Sequence, residues 1–144
     1  MTFKIQRKFL ISLANWLGSL ELSGPQSRAR TKFVTLASEA LDRAEKDRRA
    51  VLDEYADKDK DGELVKVKDD KGQENFHVAD DKMKAFQVEV AAIYDQEAEL
   101  TAPEFSVSLV IVRNLVLNTE TKIGPAIAAQ YSEWCDAFEK VTIN

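Results

Sequence analysis

The middle of the chain carries a run of acidic residues with the spacing of a calcium-binding loop. Its candidate ligands are carboxylates at the first, third, fifth and seventh positions of the run: Asp57, Asp59, Asp61 and Glu63. Gly62 follows Asp61, at the position where an EF-hand loop needs glycine for its sharp turn. Calcium needs six or more oxygen ligands, but Lys68 replaces the bidentate glutamate that should end the loop. The 57–68 loop is therefore half of a calcium site. Asp69 or Asp70 could fold back to complete it, and a polar Asp/Gly-rich connection is the alternative interpretation.

The chain holds little material for other kinds of reactive site. His77 is the only histidine and Cys135 the only cysteine, so Ser/His/Asp, Cys/His and multi-histidine metal sites lack their members. His77 lies in a pattern typical of a hairpin strand, and Cys135 follows Trp134 in a pattern typical of a buried thiol. None of the five glycines belongs to a phosphate-binding GxGxxG or GxxxxGK[ST] motif. The sequence thus predicts a protein that is not an enzyme and needs no cofactor, with calcium as the one exception to consider.

Two helical patterns flank the acidic run. Apolar residues recur at three- and four-residue steps over residues 25–55 and again over 80–100. The two seams are Phe33, Ala37, Ala40, Ala44, Val51 and Tyr55, and then Met83, Phe86, Val90, Ile93 or Tyr94, and Ala98. Their heptad character predicts that the two helices pair antiparallel. Between them, Glu63–Lys68 and Glu74–Val78 flank a turn sequence, which predicts a small β-hairpin in residues 57–78, hereafter the tip segment.

The two ends of the chain complete the predicted fold, which is mainly α (α+β). Residues 1–22 form an amphipathic helix, and 101–144 contain a strand at 105–117 followed by a helix from about Pro125. The 105–117 stretch could also be a buried helix, because its apolar alternation is only partial. The last helix should pack with Phe9 and Trp16 at the base of the 25–100 helical hairpin. The whole chain, residues 1–144, is expected to form a single domain.

Charge and hydropathy narrow the class of protein. The net charge is −5, and six cations precede the acidic middle of the chain: Lys4, Arg7, Lys8, Arg28, Arg30 and Lys32. These could form a basic patch, but an acidic protein without glycine-aromatic interleaving or a recognisable reading helix is a poor nucleic-acid binder. The longest apolar run, 106–117, is too short and too interrupted to cross a membrane, and Met1–Leu20 lacks the apolar core of a signal peptide. A cytoplasmic protein without a membrane or nucleic-acid partner is expected.

The order of these parts resembles a family of small uncharacterised proteins encoded by phages and prophages of Gram-positive bacteria. The resemblance extends from about Phe3 to Phe138 and includes the basic helix start Ser27–Phe33. It continues through Glu45–Tyr55 into Asp57–Leu64, and through the Asp95–Leu100 segment that leads into an apolar strand and a terminal helix. The family implies no established activity and no catalytic residues. It implies a phage context, in which small accessory proteins act through protein partners.

Three functions are the resulting hypotheses. The first is a non-enzymatic phage accessory protein that binds a host protein and inhibits or redirects it, a defence system included. The second is an assembly or structural factor that self-associates through its helices, as a homodimer or a larger oligomer. The third is a calcium-binding module that uses the 57–68 loop. The tip segment is the expected binding surface in the first hypothesis, because loops on rigid scaffolds often carry function.

Overall fold

A computed structural model describes residues 1–141 of the chain, and the protein divides into two compact units. Unit 1 contains residues 1–43 and the chain from Asp95 onward, and unit 2 contains residues 44–94. The predicted mainly helical fold is confirmed, because five helices and two small antiparallel sheets make up the described residues. In chain order the elements are β1 (Phe3–Gln6), α1 (Arg7–Ser19), α2 (Gly24–Tyr55), β2 (Lys66–Lys68), β3 (Glu74–Phe76), α3 (Asp80–Asp95), β4 (Glu97–Leu100), α4 (Phe105–Leu117) and α5 (Ala128–Glu139). The single-domain prediction concerns independent folding, and it stays a prediction.

The two strands of unit 1 are far apart in the sequence, but they pair with each other. β1 and β4 are antiparallel, with Phe3 opposite Leu100 and Ile5 opposite Ala98, and these four side chains are buried. The exposed residues between them face outward, as the two-residue period of a half-buried strand requires. The prediction that residues 1–22 are helical is therefore wrong at its start. The prediction that the second long helix reaches residue 100 is also wrong, because that helix ends at Asp95.

A cluster of aromatic rings holds the core of unit 1 together. The Phe33 ring, fully buried on α2, lies 5.4 Å from the ring of Phe3, 5.9 Å from that of Phe138 and 6.2 Å from that of Phe105. The Phe33 side chain thus connects its own helix α2 with strand β1 and with helices α4 and α5. Aromatic pairs at such centroid distances add to the hydrophobic term of burial.

The predicted packing of the last helix is confirmed by the two tryptophans. The rings of Trp16 on α1 and Trp134 on α5 lie 5.5 Å apart. The indole N–H of the buried Trp134 donates to the carbonyl oxygen of Phe9 at 3.0 Å, so its polar atom is satisfied inside the core. The final three residues of the predicted 101–144 segment lie outside the described residues.

The strand predicted at residues 105–117 is wrong, because the whole stretch forms helix α4. The buried side chains of α4 follow helical spacing: Phe105, Ser108, Leu109, Val112 and Val116. β-branched residues favour strands only weakly, and burial of one face of α4 against the rest of unit 1 decides the conformation of this stretch. The alternative of a buried helix, which the partial alternation left open, is the correct one.

Unit 2 has a small core of its own. Leu52, Ala56 and Val78 are buried, and partly buried side chains including Tyr55 and Phe86 pack against them. The rings of Tyr55 and Phe86 lie 6.2 Å apart, so the last turns of α2 contact α3 through the residues that the two seams predicted. The hydroxyl of Tyr55 donates to Glu89 Oε1 at 2.7 Å, and this hydrogen bond raises the pKa of Tyr55.

Candidate functional site

The tip segment of unit 2 is built from two hairpins, one after the other along the chain. In the first, Lys58 pairs with Leu64; in the second, β2 pairs with β3 so that Val67 lies opposite Asn75. The predicted β-hairpin is thus confirmed, and a second one precedes it. Each has a three-residue loop that ends in a glycine with a left-handed backbone, at φ 80° for Gly62 and 77° for Gly72.

The two loops use the same device, an aspartate that binds the backbone of its own turn. Asp59 Oδ1 accepts the N–H groups of Asp61 and Glu63 at 2.9 and 3.0 Å. Asp69 Oδ1 accepts the N–H groups two and four residues further along, both at 2.9 Å. Asp-x-x-Gly therefore closes both hairpins, because aspartate satisfies turn amides and glycine accepts a positive φ.

A ring of three backbone hydrogen bonds joins the two hairpins. The N–H of Asp57 donates to the carbonyl oxygen of His77 at 2.8 Å, that of His77 donates to Val65 at 3.0 Å, and that of Val65 donates to Asp57 at 2.8 Å. Each of three chain segments is thereby held by the other two. The fold of the tip segment is fixed by its own backbone, which gives a short polar segment a defined surface.

The face of the second hairpin that carries Val67 is framed by two bonded polar pairs. His77 Nδ1 lies 2.6 Å from Asp57 Oδ2, and the Asn75 amide donates to Asp69 Oδ2 at 3.2 Å. Val67 is 44% exposed beside them. We call these five residues, Asp57, Val67, Asp69, Asn75 and His77, the tip surface. It combines an exposed apolar side chain with polar groups whose positions are already set, which lowers the entropy lost on binding.

The opposite face of the same hairpin is turned toward the core of unit 2. Phe76 is partly buried against that core, and the ammonium group of Lys66 lies 5.4 Å from the centre of its ring. Lysines at positions 66 and 68 on a strand of only three residues are also a common means of preventing edge-to-edge pairing with other chains. This edge is therefore poorly suited to pairing with a strand of another chain.

The four candidate calcium ligands are not arranged around a common point. Asp59 Oδ1 is taken by two backbone amides and Asp57 Oδ2 by His77. Within residues 1–141, no group of three or more His, Cys, Asp or Glu side chains is placed to hold a metal ion. Asp61 and Glu63 contribute their backbone amides to the turn, and both residues are exposed. The chemistry that this geometry offers is hydrogen bonding and surface recognition, and calcium binding stays a prediction.

The Asp57–His77 pair resembles two members of a catalytic triad, but its surroundings differ. A triad also needs a hydroxyl or thiol nucleophile beside the imidazole. Residues 56–79 contain no serine, threonine or cysteine. In unit 1, Cys135 is partly buried, next to the core. Within the tip segment the pair holds the imidazole ring of His77 at the surface, and the sequence did not predict its partner Asp57.

The tip surface was missed in the sequence because its residues come from three separated segments. A usable signal was nevertheless present. The spacing Asp59-x-x-Gly62 recurs as Asp69-x-x-Gly72, and two identical turns fix the register of both hairpins. From that register, Val67 and Asn75 could have been placed opposite each other.

Comparisons with known proteins identify no relative of this chain. No protein-family model matches it, and neither a curated protein nor a solved structure matches it. The resemblance to phage and prophage proteins stays a prediction from the sequence. Among the described residues, no helix has both the length and the apolar character that crossing a membrane requires.

Proposed function

We propose that this chain is a non-enzymatic phage accessory protein that acts by binding a protein of its bacterial host. Binding inhibits or redirects that protein, which belongs to the host cytoplasm and in one version to a defence system. In this proposal α2 and α3 pair as an antiparallel hairpin, and the tip segment that joins them makes the contact. The observation that carries the proposal is the tip surface, where the exposed Val67 lies opposite Asn75 and the pairs Asp57–His77 and Asn75–Asp69 are hydrogen-bonded.

Two physical features support recognition of a protein by this surface. Its backbone is closed by three internal hydrogen bonds and its polar side chains are already paired, so little ordering remains for the binding step. A solvated connection does not need such organisation. An apolar side chain surrounded by fixed polar groups is also the usual arrangement at the centre and rim of a protein interface.

The test compares two exposed valines of unit 2 in affinity capture from lysates of Gram-positive bacteria, followed by titration of the captured protein. Val67→Glu places a charge in the tip surface, and Val88→Glu makes the same change on α3, where Val88 is 62% exposed. We expect Val67→Glu to weaken binding of the partner at least about tenfold, because it buries a charge in the contact. Val88→Glu should leave binding unchanged. Equal binding by wild type and Val67→Glu contradicts the proposal.

Self-association is the second candidate function, favoured by the outer face of α3. Ala85, Val88 and Ala92 are exposed there at three- and four-residue spacing, which is the spacing of a helix-pairing seam. In this case the protein is a stable oligomer in light scattering and Val88→Glu converts it to a monomer. That result, with no effect of Val67→Glu on any captured protein, would replace the first proposal by an assembly role.

Calcium binding by the 57–68 loop is the third candidate, and it rests on the spacing of its carboxylates. Asp59 Oδ1 already accepts two backbone amides, so Asp59 would bind the cation through its other carboxylate oxygen. Calorimetric titration with calcium, with Asp61→Asn as the matched variant, tests it. The absence of heat in the wild type contradicts it.

A further inference from the structure

The surface between α2 and α4 in unit 1 forms a continuous groove. Three adjoining depressions of about 670, 220 and 370 Å³ lie along it. The first two share Pro25 and Ile111, and the last two share Lys32. From Pro25 to Leu36 the lining stretch of α2 rises by about 16 Å, which equals roughly three turns of a helix.

The floor of the groove is apolar on its α4 side. Val107 is 71% exposed, the largest exposed fraction among the large hydrophobic residues described, and Ile111 and Leu115 follow it at four-residue steps. These side chains lie on one face of α4, because four residues make slightly more than one turn. An exposed apolar stripe beside an apolar lining residue such as Pro25 is a feature of binding surfaces.

The rim of the groove is basic in its middle depression. Arg28 and Lys32, one turn apart on α2, are the charged residues that line it. Neither has a carboxylate of the described residues within salt-bridge distance, although the protein has a net charge of −5. The neighbouring Arg30 is used differently, since its guanidinium donates to the carbonyl oxygen of Leu17 at 3.0 Å and holds the end of α1. The two end depressions are lined by acidic residues instead, Glu104 at one end and Glu21 with Glu120 at the other. Two cations thus remain available only at the middle of the groove.

The geometry points to one occupant: we infer that the groove binds an amphipathic helix of another protein, with carboxylates beside the middle of its apolar face. A helix satisfies its own backbone hydrogen bonds, and the middle of the groove is lined by the side chains of two helices, α2 and α4. Its carboxylates would meet Arg28 and Lys32. A second copy of this chain fits poorly, because the exposed apolar residues of its other helices adjoin cations: Lys8 precedes Ile11, and Lys84 precedes Val88. The groove and the tip surface share no residues, so the test of one proposal can fail while the other proposal holds.

The test uses two synthetic peptides whose binding is measured by fluorescence anisotropy. Both are helix-forming and carry leucines at positions i, i+4, i+7 and i+11. One has glutamates beside the middle of the leucine stripe and the other has lysines in the same places. We expect wild-type protein to bind the glutamate peptide at least about tenfold more tightly, with an affinity that falls as salt is added.

Three variants of the full chain locate the site. Arg28→Glu with Lys32→Glu should remove the preference for the glutamate peptide, and Val107→Asp should weaken binding about tenfold by charging the floor. Lys46→Glu with Arg49→Glu makes the same charge change in unit 2 and should have no effect. All changed residues lie on the surface rather than in the core, so circular dichroism should report an unaltered fold.

Several results would overturn the inference. They are equal binding of the two peptides, no binding of either, and full binding by the Val107→Asp variant. A dimer in light scattering that Val107→Asp dissociates would mean that a second copy fills the groove. Retention of DNA or RNA that the Arg28→Glu, Lys32→Glu variant loses would assign the cations to nucleic acid.

Discussion

The aromatic cluster around Phe33 allows a quantitative test of the core of unit 1. Phe33→Ala removes a fully buried ring that contacts the rings of Phe3, Phe105 and Phe138. Truncation of a buried phenylalanine costs about 3–5 kcal/mol, as the sum of lost transfer free energy and the cavity left behind. Three ring contacts place Phe33 at the upper part of this range, so we expect a loss of about 4–5 kcal/mol. A domain of this size has a stability of about 5–15 kcal/mol, so the variant would be near its unfolding threshold.

Urea unfolding followed by tryptophan fluorescence measures this loss. Both tryptophans, Trp16 and Trp134, lie in unit 1, so the signal reports on the same unit as Phe33. Phe33→Leu keeps most of the apolar volume and loses the ring contacts, and it should cost about 1.5 kcal/mol. Phe9→Ala is the matched control, because it removes the same atoms from a partly buried position of unit 1.

The comparison with Phe9→Ala decides the outcome. A half-buried ring has less transfer free energy to lose and leaves no closed cavity, so this control should cost about 1–2 kcal/mol. If Phe33→Ala costs no more than Phe9→Ala, then Phe33 does not join the four elements in the way its ring distances indicate. A loss below about 2 kcal/mol for Phe33→Ala leads to the same conclusion.

Two further predictions concern the tip loops and a partly buried phenol. Gly72→Ala should destabilise unit 2 by about 1 kcal/mol, because the φ of Gly72 is 77°. Gly18→Ala, a change within helix α1, should instead stabilise unit 1 by about 0.5–1 kcal/mol. Chemical denaturation compares the two variants, and a Gly72→Ala variant as stable as the wild type contradicts the turn geometry. Burial, and next the Cys135 thiol, raise the pKa of Tyr131 to about 12. The protonated phenol therefore stabilises the fold fully below about pH 10 and this contribution is lost as pH rises through 12. The pKa of Tyr55 is also raised, by its hydrogen bond to Glu89, so ultraviolet titration should show two late steps, and Tyr131→Phe should remove the one near pH 12.

Long-range pairing explains the part of the fold that the sequence did not predict. β1 and β4 are four residues each and lie more than ninety positions apart, so neither contains enough residues to show a clear alternation. The segment Glu97–Leu100 is also made of helix-forming residue types, and the partner strand Phe3–Gln6 decides its conformation. Helix α4 is the opposite case, because its β-branched residues favoured a strand while its buried positions follow a helical period.

The predicted apolar seam of α2 is correct in its first part and less accurate further along the helix. The first part of the α2 seam is buried as expected, from Phe33 through Ala37 and Ala40 to Ala44. Further along, burial moves to Leu52, while Val51 and Tyr55 are partly buried. A strict heptad drifts around a straight helix by about 20° per repeat, so a seam read from spacing alone loses its register over 32 residues. The buried side of a long helix is thus predicted well near the residue that anchors it and less well further away.

The calcium-like spacing and the hairpin of the tip segment share one chemical cause. Aspartate accepts backbone N–H groups and glycine accepts a positive φ, so Asp-x-x-Gly suits both a calcium loop and a tight hairpin turn. The residues after the glycine distinguish the two structures. A helix would bring a carboxylate to position 68, but Val65 and Val67 alternate with charged residues and extend as a strand. The same motif occurs again at Asp69, outside any calcium spacing, with the same two hydrogen bonds to its backbone. The repeated use of the motif therefore supports turn formation as its role in this chain, and it directs attention to the surface that the two turns hold in place.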